Sequence, residues 1–121
     1  MPNQLILVVD DSPTDLKLMS APLQSKGYRV ITAADGEEAL EAATLEHPAL
    51  IVLDIILPKK NGFQVCRQLK TTPDTQDIKI IMLSSKVQDT DRYWGLKQGA
   101  DEYMTKPFEN DQLISLVERL I

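Results

Sequence analysis

Acidic side chains follow two apolar segments of the chain, directly where each segment ends. Asp10 and Asp11 come after Leu5–Val9, and Asp54 follows Ala49–Leu53. In open α/β sheets, ligands bind outside the carboxyl ends of the strands, where the strand order reverses. Carboxylates gathered there repel one another, and a divalent cation relieves that repulsion; Mg²⁺ fits best because it takes a few carboxylates and keeps several waters. The simpler alternative is that these residues only cap a helix or close a strand.

A lysine and a serine are placed to join these carboxylates. Lys106 follows the short segment Glu102–Thr105, and Ser84 comes directly after Ile80–Leu83. The cation would compensate the acidic charge or clamp a phosphoryl group, although Lys106 alone is typical of a surface residue and Ser84 of a strand-end cap. The whole set suits in-line attack of a carboxylate on phosphorus. Metal and lysine would neutralise the developing charge, and the serine hydroxyl would hydrogen-bond a phosphoryl oxygen of the resulting acyl phosphate.

The segments that precede these residues have the length and composition of strands. Three of them are continuous apolar runs, which is typical of strands covered on both faces. Tyr28–Ala33 is weaker, and the polar Glu102–Thr105 is predicted as an edge strand. The full set is Leu5–Val9, Tyr28–Ala33, Ala49–Leu53, Ile80–Leu83 and Glu102–Thr105.

Helical patterns lie between the strands and after the last one. Ser12–Pro13 and the pair Asp35 and Glu38 predict helix starts, while Gly27 and Gly99 predict helix ends. The apolar stripes are Leu16, Met19, Leu23; Ala39, Leu40, Ala43; Val65, Cys66, Leu69; and Leu113, Val117, Leu120. The alternation predicts an α/β fold with a parallel sheet covered by helices on both faces. We expect the flavodoxin-like, doubly wound form of this fold, whose five strands lie in the order 2-1-3-4-5 with five helices.

Length and charge narrow the classes of function. The 121 residues predict a single domain, residues 1–121, with no output domain. A net charge of −5 argues against nucleic acid or an anionic membrane as the main partner. A single cysteine fits a reducing compartment, and we find no segment long enough to span a membrane and no secretory signal. We therefore expect a cytoplasmic protein.

Four motifs together resemble the receiver domains of two-component response regulators, and the resemblance covers essentially the whole chain. The motifs are VVDDS (Val8–Ser12), VLDIILPKKNGF (Val52–Phe63), IIMLSSK (Ile80–Lys86) and GADEYMTKPF (Gly99–Phe108). Among receivers the chain looks most like the stand-alone type of chemotaxis and pilus-based motility systems. The resemblance implies a phosphorylation-activated switch. It would accept a phosphoryl group from a histidine kinase in a Mg²⁺-dependent reaction and would catalyse only its own phosphorylation and slow dephosphorylation.

The resemblance also implies a role for each matching residue. Asp54 would be the phosphoacceptor, and Asp10, Asp11 and Asp54 would bind Mg²⁺ together with the backbone carbonyl of Ile56. Ser84 matches the hydroxyl position and Lys106 the lysine, whose peptide bond to Pro107 is typically cis in this family.

An aromatic switch and an output surface follow from the same resemblance. Tyr103 matches the switch aromatic, which would rotate inward as Ser84 moves toward a phosphoryl oxygen. The output surface would be the face formed by the fourth helix, fifth strand and fifth helix, with Arg92, Leu96, Lys97 and Tyr103 as candidates; the downstream target is unknown. We expect Trp94 to be core or partly buried.

Two remaining residues and three other functions complete the expectations. Cys66 is expected in the core. His47, the only histidine, is expected at a helix end as a surface or capping residue rather than a phosphoryl carrier, so the phosphoryl donor must be another molecule.

A phosphohydrolase of the haloacid dehalogenase type usually has a D-x-D motif and a cap domain, and this chain has neither. A flavodoxin-type flavin carrier would meet repulsion from Asp10, Asp11 and Asp15. A degenerate receiver conflicts with the complete set of Asp, Ser and Lys.

Overall fold

The computed structural model describes residues 4–85 and 89–121, apart from the side chains of Asp89 and Asp91. Five strands alternate with five helices over these ranges. In chain order they are β1 (Leu5–Val9), α1 (Pro13–Ser25), β2 (Arg29–Ala33), α2 (Gly36–Glu46), β3 (Leu50–Leu53), α3 (Gly62–Thr71), β4 (Lys79–Ser84), α4 (Asp89–Lys97), β5 (Glu102–Thr105) and α5 (Asn110–Leu120). The strands are parallel and lie in the order β2-β1-β3-β4-β5. The predicted fold and strand order are confirmed, and the strand ends differ from the predicted ones by one residue in β2, β3 and β4.

The sheet is covered on both faces, as its continuous apolar strands predicted. Alternate residues of a strand point to opposite faces, so Ile6 and Val8 pack on one side of β1, and Leu7 and Val9 on the other. The first side carries α1 and α5 residues Met19, Leu23, Leu113 and Val117; the second carries α2 and α3 residues Ala39, Ala43, Val65, Cys66 and Leu69. Burying each of the larger side chains stabilises the fold by about 1.5–3 kcal/mol.

Side-chain caps mark the starts of α1 and α2. Ser12 accepts a hydrogen bond from the Asp15 N–H, at 3.3 Å, and Pro13 occupies the first turn of α1. Asp35 caps α2 through the Glu38 N–H, as predicted. The Glu38 carboxylate, however, accepts from the N–H of Ala34, at 3.1 Å, rather than from that of Asp35. Asp35 and Glu38 therefore form a cap without a reciprocal capping box.

Trp94 is the residue whose predicted burial is wrong. Its exposed fraction is 51%, because the sheet-facing position of α4 belongs to the next residue, Gly95. A Cβ at Gly95 would lie 2.9 Å from Met82 Sδ and 3.0 Å from the Tyr103 ring, so α4 lies too close to the sheet for a large side chain. Successive helix positions are about 100° apart, so Trp94 points away from the sheet and contacts Tyr93 edge to face.

The remaining expectations about single residues are met. Cys66 is fully buried, and burial raises the pKa of its thiol to about 12. His47 ends α2 in the left-handed region, at a φ of 46°, and is exposed beside Asp74. No helix in the described ranges is both long and apolar enough to cross a bilayer.

Candidate functional site

The ends of β1 and β3 bring the acidic residues together. Val9 and Leu53 are partners in the register of these two strands, so the next residues along each strand lie side by side. The backbone continues the sheet for one more step, since the Asp54 N–H donates to the Val9 carbonyl and the Asp10 N–H to the Ala33 carbonyl, both at 3.1 Å. The backbone of both aspartates is therefore held by the sheet rather than by a loop.

Three carboxylates form the cluster that the sequence predicted. One carboxylate oxygen from each of Asp10, Asp11 and Asp54 lies within 4.8 Å of the other two. Asp10 and Asp54 are buried, with exposed fractions of 1% and 8%, whereas Asp11 is exposed. The N–H of Ser12 donates to Asp10 Oδ1 at 2.9 Å, and the N–H of Ile55 donates to Asp54 Oδ1 at 2.7 Å. The remaining oxygens face a common crevice.

Lys106 enters this crevice from the end of β5. Its N–H donates to the Ser84 carbonyl at 2.8 Å, and its peptide bond to Pro107 is cis, as the resemblance implied. The ammonium lies 2.5 Å from Asp10 Oδ2, 2.9 Å from Asp15 Oδ2 and 3.4 Å from Asp54 Oδ2. The cation thus faces three carboxylates, but the third of them is Asp15 and not Asp11.

The burial and charge of this cluster shift two pKa values. Burial raises the pKa of Asp10, and the hydrogen bonds from Lys106 and the Ser12 N–H offset part of that rise. Burial alone would lower the pKa of Lys106. The hydrogen bonds to Asp10 and Asp15 and the charge of Asp54 outweigh this effect, and the pKa of Lys106 lies above its usual value. Lys106 is therefore protonated at neutral pH.

Ser84 ends β4 at the same edge of the sheet. It is fully buried and paired in register with Thr105 of β5. Within the described ranges, Ser84 Oγ makes no hydrogen bond. A buried hydroxyl without a hydrogen-bond partner lowers the stability of the fold by about 1–3 kcal/mol. A group that enters the crevice and hydrogen-bonds Ser84 Oγ would recover part of this cost.

Tyr103 lies inside the protein, with an exposed fraction of 4%. It pairs with Met82 in the β4–β5 register, and the Arg92 guanidinium lies 5.7 Å from the centre of its ring. The inward position expected of the phosphorylated chain is therefore already occupied here. Of the candidate output residues, Tyr103 is buried, while Arg92, Leu96 and Lys97 are exposed on α4.

The loop after β3 contains Ile56, whose backbone carbonyl the resemblance implies as a ligand of Mg²⁺. Ile56 is 57% exposed, two residues beyond Asp54. The loop is held against α3, because the Gly62 N–H donates to the Ile55 carbonyl at 2.8 Å. Lys86, the last residue of the IIMLSSK motif, lies outside the described residues.

Asp15 is the site residue that the sequence reading did not assign. It lies in the first turn of α1, three residues after the N-cap Ser12, and therefore close to the end of β1. That spacing was the available signal. Its contact with Lys106 also depends on how α1 lies relative to the end of β5, which the local sequence does not reveal.

The donor set fits a hard divalent cation. Three neighbouring carboxylates match the few oxygen ligands that Mg²⁺ takes from proteins, and their mutual repulsion favours a cation between them. Asp10, Asp11 and Asp54 are the side chains that would hold it.

Comparisons with known proteins agree with this geometry. The chain is 38% identical to Protein PilH of Pseudomonas aeruginosa over 116 residues, which make up 96% of each protein. Several other relatives are transcriptional regulators, and the chain spans 49% of one of them and 47% of another.

Solved structures of similar fold are also receiver domains. The BeF3-activated DrrB receiver domain matches with a TM-score of 0.89 and 36% identity, over 98% of this chain and 97% of that one. The receiver domain of the sensor histidine kinase PA1611 from Pseudomonas aeruginosa PAO1, described with a magnesium ion coordinated in its active site cleft, matches with a TM-score of 0.90 and 31% identity over the same shares. The family model described as the response regulator receiver domain matches residues 6–118. The chain belongs to the response regulator receiver domain family.

Proposed function

We propose that Asp54 is the phosphoacceptor of a phosphorylation-activated switch and that phosphorylation requires Mg²⁺. Receiver domains are signalling switches that accept phosphoryl groups from histidine kinases, and they are not classical enzymes. The observation that carries the proposal is the position of Asp54 at the end of β3. Oxygens of Asp10 and Asp11 lie within 4.8 Å of its carboxylate, and the Lys106 ammonium lies at 3.4 Å.

Asp54 is the best placed of the carboxylates to attack phosphorus. Asp10 is more deeply buried and is held by both the Ser12 N–H and Lys106. Asp15 lies in the first turn of α1 and is not part of the cluster formed by Asp10, Asp11 and Asp54. Asp54 Oδ1 accepts from the Ile55 N–H, which leaves Oδ2 with only the longest of the Lys106 contacts. This oxygen is therefore more available as a nucleophile than the oxygens of Asp10, the other buried carboxylate of the cluster.

The transfer is balanced by the groups at hand. Asp54 Oδ2 forms a bond to phosphorus while the P–N bond of a kinase phosphohistidine breaks, and the imidazole leaves with the electron pair. Lys106 hydrogen-bonds a phosphoryl oxygen, and Ser84 Oγ donates to another. Bound Mg²⁺ supplies positive charge to the phosphoryl oxygens. Hydrolysis of the acyl phosphate by water returns Asp54 and inorganic phosphate.

The switch couples this site to the face formed by α4, β5 and α5. A phosphoryl oxygen would draw Ser84 Oγ toward the crevice. Because Tyr103 already lies inward, phosphorylation would stabilise that position rather than create it. The face carries a groove of about 680 Å³ with Arg92, Tyr103 and Leu116 in its lining, and this groove is where we place the downstream partner.

The wider setting is part of the same proposal. We infer that residues 1–121 act as a single receiver domain in the cytoplasm, in a chemotaxis or motility system. The support is the match to PilH over 96% of both chains. The net charge of −5 favours protein partners over nucleic acid or anionic membranes. The histidine kinase would supply the phosphoryl group.

Mass spectrometry of the intact protein after incubation with acetyl phosphate and Mg²⁺ tests the proposal. We expect the parent protein and Asp77→Asn to gain one phosphoryl group, because Asp77 is exposed near the start of β4, at the opposite edge of the sheet. Asp54→Asn, and the parent in excess EDTA, should gain none. Labelling of Asp54→Asn at the parent rate would reject Asp54 as the acceptor. Continuous turnover of phosphomonoesters would favour the phosphohydrolase.

A further inference from the structure

Lys106 has no hydrogen-bond donor to spare in the structure. An ammonium group has three N–H donors, and the described contacts of Lys106 are with three carboxylates, Asp10, Asp15 and Asp54. Bonding of Asp54 Oδ2 to phosphorus would release the 3.4 Å contact, and a phosphoryl oxygen would take that donor. The two shorter contacts hold the ammonium nearer to Asp10 and Asp15 than to Asp54, so one of them must weaken when Lys106 moves toward the phosphoryl group.

Asp15 is the contact that can be given up. Asp10 is almost fully buried and makes the shortest of the three contacts, so losing its cation would leave a buried charge unpaired. Asp54 carries the phosphoryl group itself. The Asp15 side chain is 35% exposed and lines a cavity of about 380 Å³ beside Lys106 and Phe108, so water can hydrate its oxygens after release.

The backbone of Asp15 is nevertheless held next to the crevice. Its N–H donates to Ser12 Oγ in the first turn of α1, and the Ser12 N–H donates to Asp10. Its carboxylate is not one of the three that would hold the metal, so it stays available to Lys106 when a cation is bound.

We propose that Asp15 is a positioning residue that holds Lys106 on the α1 side of the crevice and competes with the phosphoryl group on Asp54 for this cation. The inference rests on the proposed function of Asp54. Its consequence is that Asp15 makes phosphorylation less favourable and biases the switch toward the unphosphorylated state.

Equilibrium binding of beryllofluoride, a phosphoryl mimic, measures this competition without turnover. In excess Mg²⁺, isothermal titration calorimetry of Asp15→Asn should show affinity about fivefold higher than the parent, because one charge-assisted contact no longer has to be broken. The Mg²⁺ affinity measured without beryllofluoride should change less than this. Glu37→Gln removes one acidic charge from the first turn of α2, where Glu37 is 59% exposed and lies 3.8 Å from Lys59, and it should bind beryllofluoride like the parent.

A second background separates the contact with Lys106 from a general effect of charge. Asp15→Asn is combined with Lys106→Met, and the rate of labelling by acetyl phosphate is followed by mass spectrometry over hours, so that slow variants stay measurable. Asp15→Asn should accelerate labelling in the parent background by about fivefold and leave the rate unchanged when Lys106 is absent.

The possible results distinguish this inference from the proposed function. Equal acceleration in both backgrounds, or weaker beryllofluoride binding by Asp15→Asn, would overturn the competition. A parent protein that neither binds beryllofluoride nor gains a phosphoryl group would overturn the role of Asp54 as well. Normal labelling of the parent with no effect of Asp15→Asn would overturn the role of Asp15 alone.

Discussion

Replacing Lys106 with methionine removes the cation that neutralises the buried carboxylates. Asp10 has an exposed fraction of 1% and would lose its counter-charge, with Asp54 close by. Breaking a buried ion pair in this way typically costs about 3–5 kcal/mol of unfolding free energy. Protonation of Asp10 limits the loss. Its ordinary pKa is 3.8, so neutralising it at pH 7 costs about 4 kcal/mol, at about 1.4 kcal/mol for each pH unit. We expect Lys106→Met to lose about 3 kcal/mol at pH 7.

The same limit predicts how the loss depends on pH. In the folded variant the pKa of Asp10 is raised further, so the folded state holds a proton that the unfolded chain releases, and stability falls as the pH rises. At pH 5 the cost of neutralising Asp10 is less than about 2 kcal/mol, and the deficit relative to the parent should shrink accordingly. Added Mg²⁺ should shrink it at pH 7, because a divalent cation replaces the missing charge.

Urea unfolding followed by circular dichroism, in EDTA at pH 5 and pH 7 and in Mg²⁺ at pH 7, measures these differences. Lys97→Met is the matched control, since Lys97 is exposed on α4, and it should change stability by less than about 0.5 kcal/mol. A deficit for Lys106→Met below about 1 kcal/mol at pH 7 in EDTA, or one that does not respond to pH, would refute the reasoning.

Two further substitutions test the packing around the site. In Gly62→Ala, the new Cβ would lie 2.3 Å from the Asp54 carbonyl oxygen, which as backbone cannot move aside, so we expect a loss of about 2–3 kcal/mol in urea unfolding. The exposed Ser115→Ala should lose less than about 0.5 kcal/mol, and a similar value for Gly62→Ala would contradict the close approach. Because burial raises the pKa of Cys66 from 9.0 to about 12, its neutral thiol stabilises the fold below pH 9, and that contribution is lost as the pH rises toward 12. Under reducing conditions the parent should lose stability more steeply than Cys66→Ala, by up to about 1.4 kcal/mol per pH unit, and parallel curves would show that the thiol is not the cause.

The chain's local patterns were enough to predict a parallel sheet, and the order of strands typical of this fold class was enough to predict the acidic crevice. Continuous apolar runs such as Leu5–Val9 are typical of strands covered on both faces, and residues that follow such strands lie at one edge of a parallel sheet. Asp10, Asp11 and Asp54 were therefore predictable as a group, because the strands are parallel and the predicted order places β1 beside β3.

The contacts that depend on distant segments were not predictable in the same way. Asp15 meets Lys106 across 91 residues, and that contact requires the path of β5 and the placement of α1 at once. The exposure of Trp94 followed from how closely α4 approaches the sheet at Gly95, which is a matter of packing rather than of periodicity. The inward position of Tyr103 has the same origin. Local pattern specifies which face of an element is apolar, but the distance between packed elements is set by side chains from all of them together.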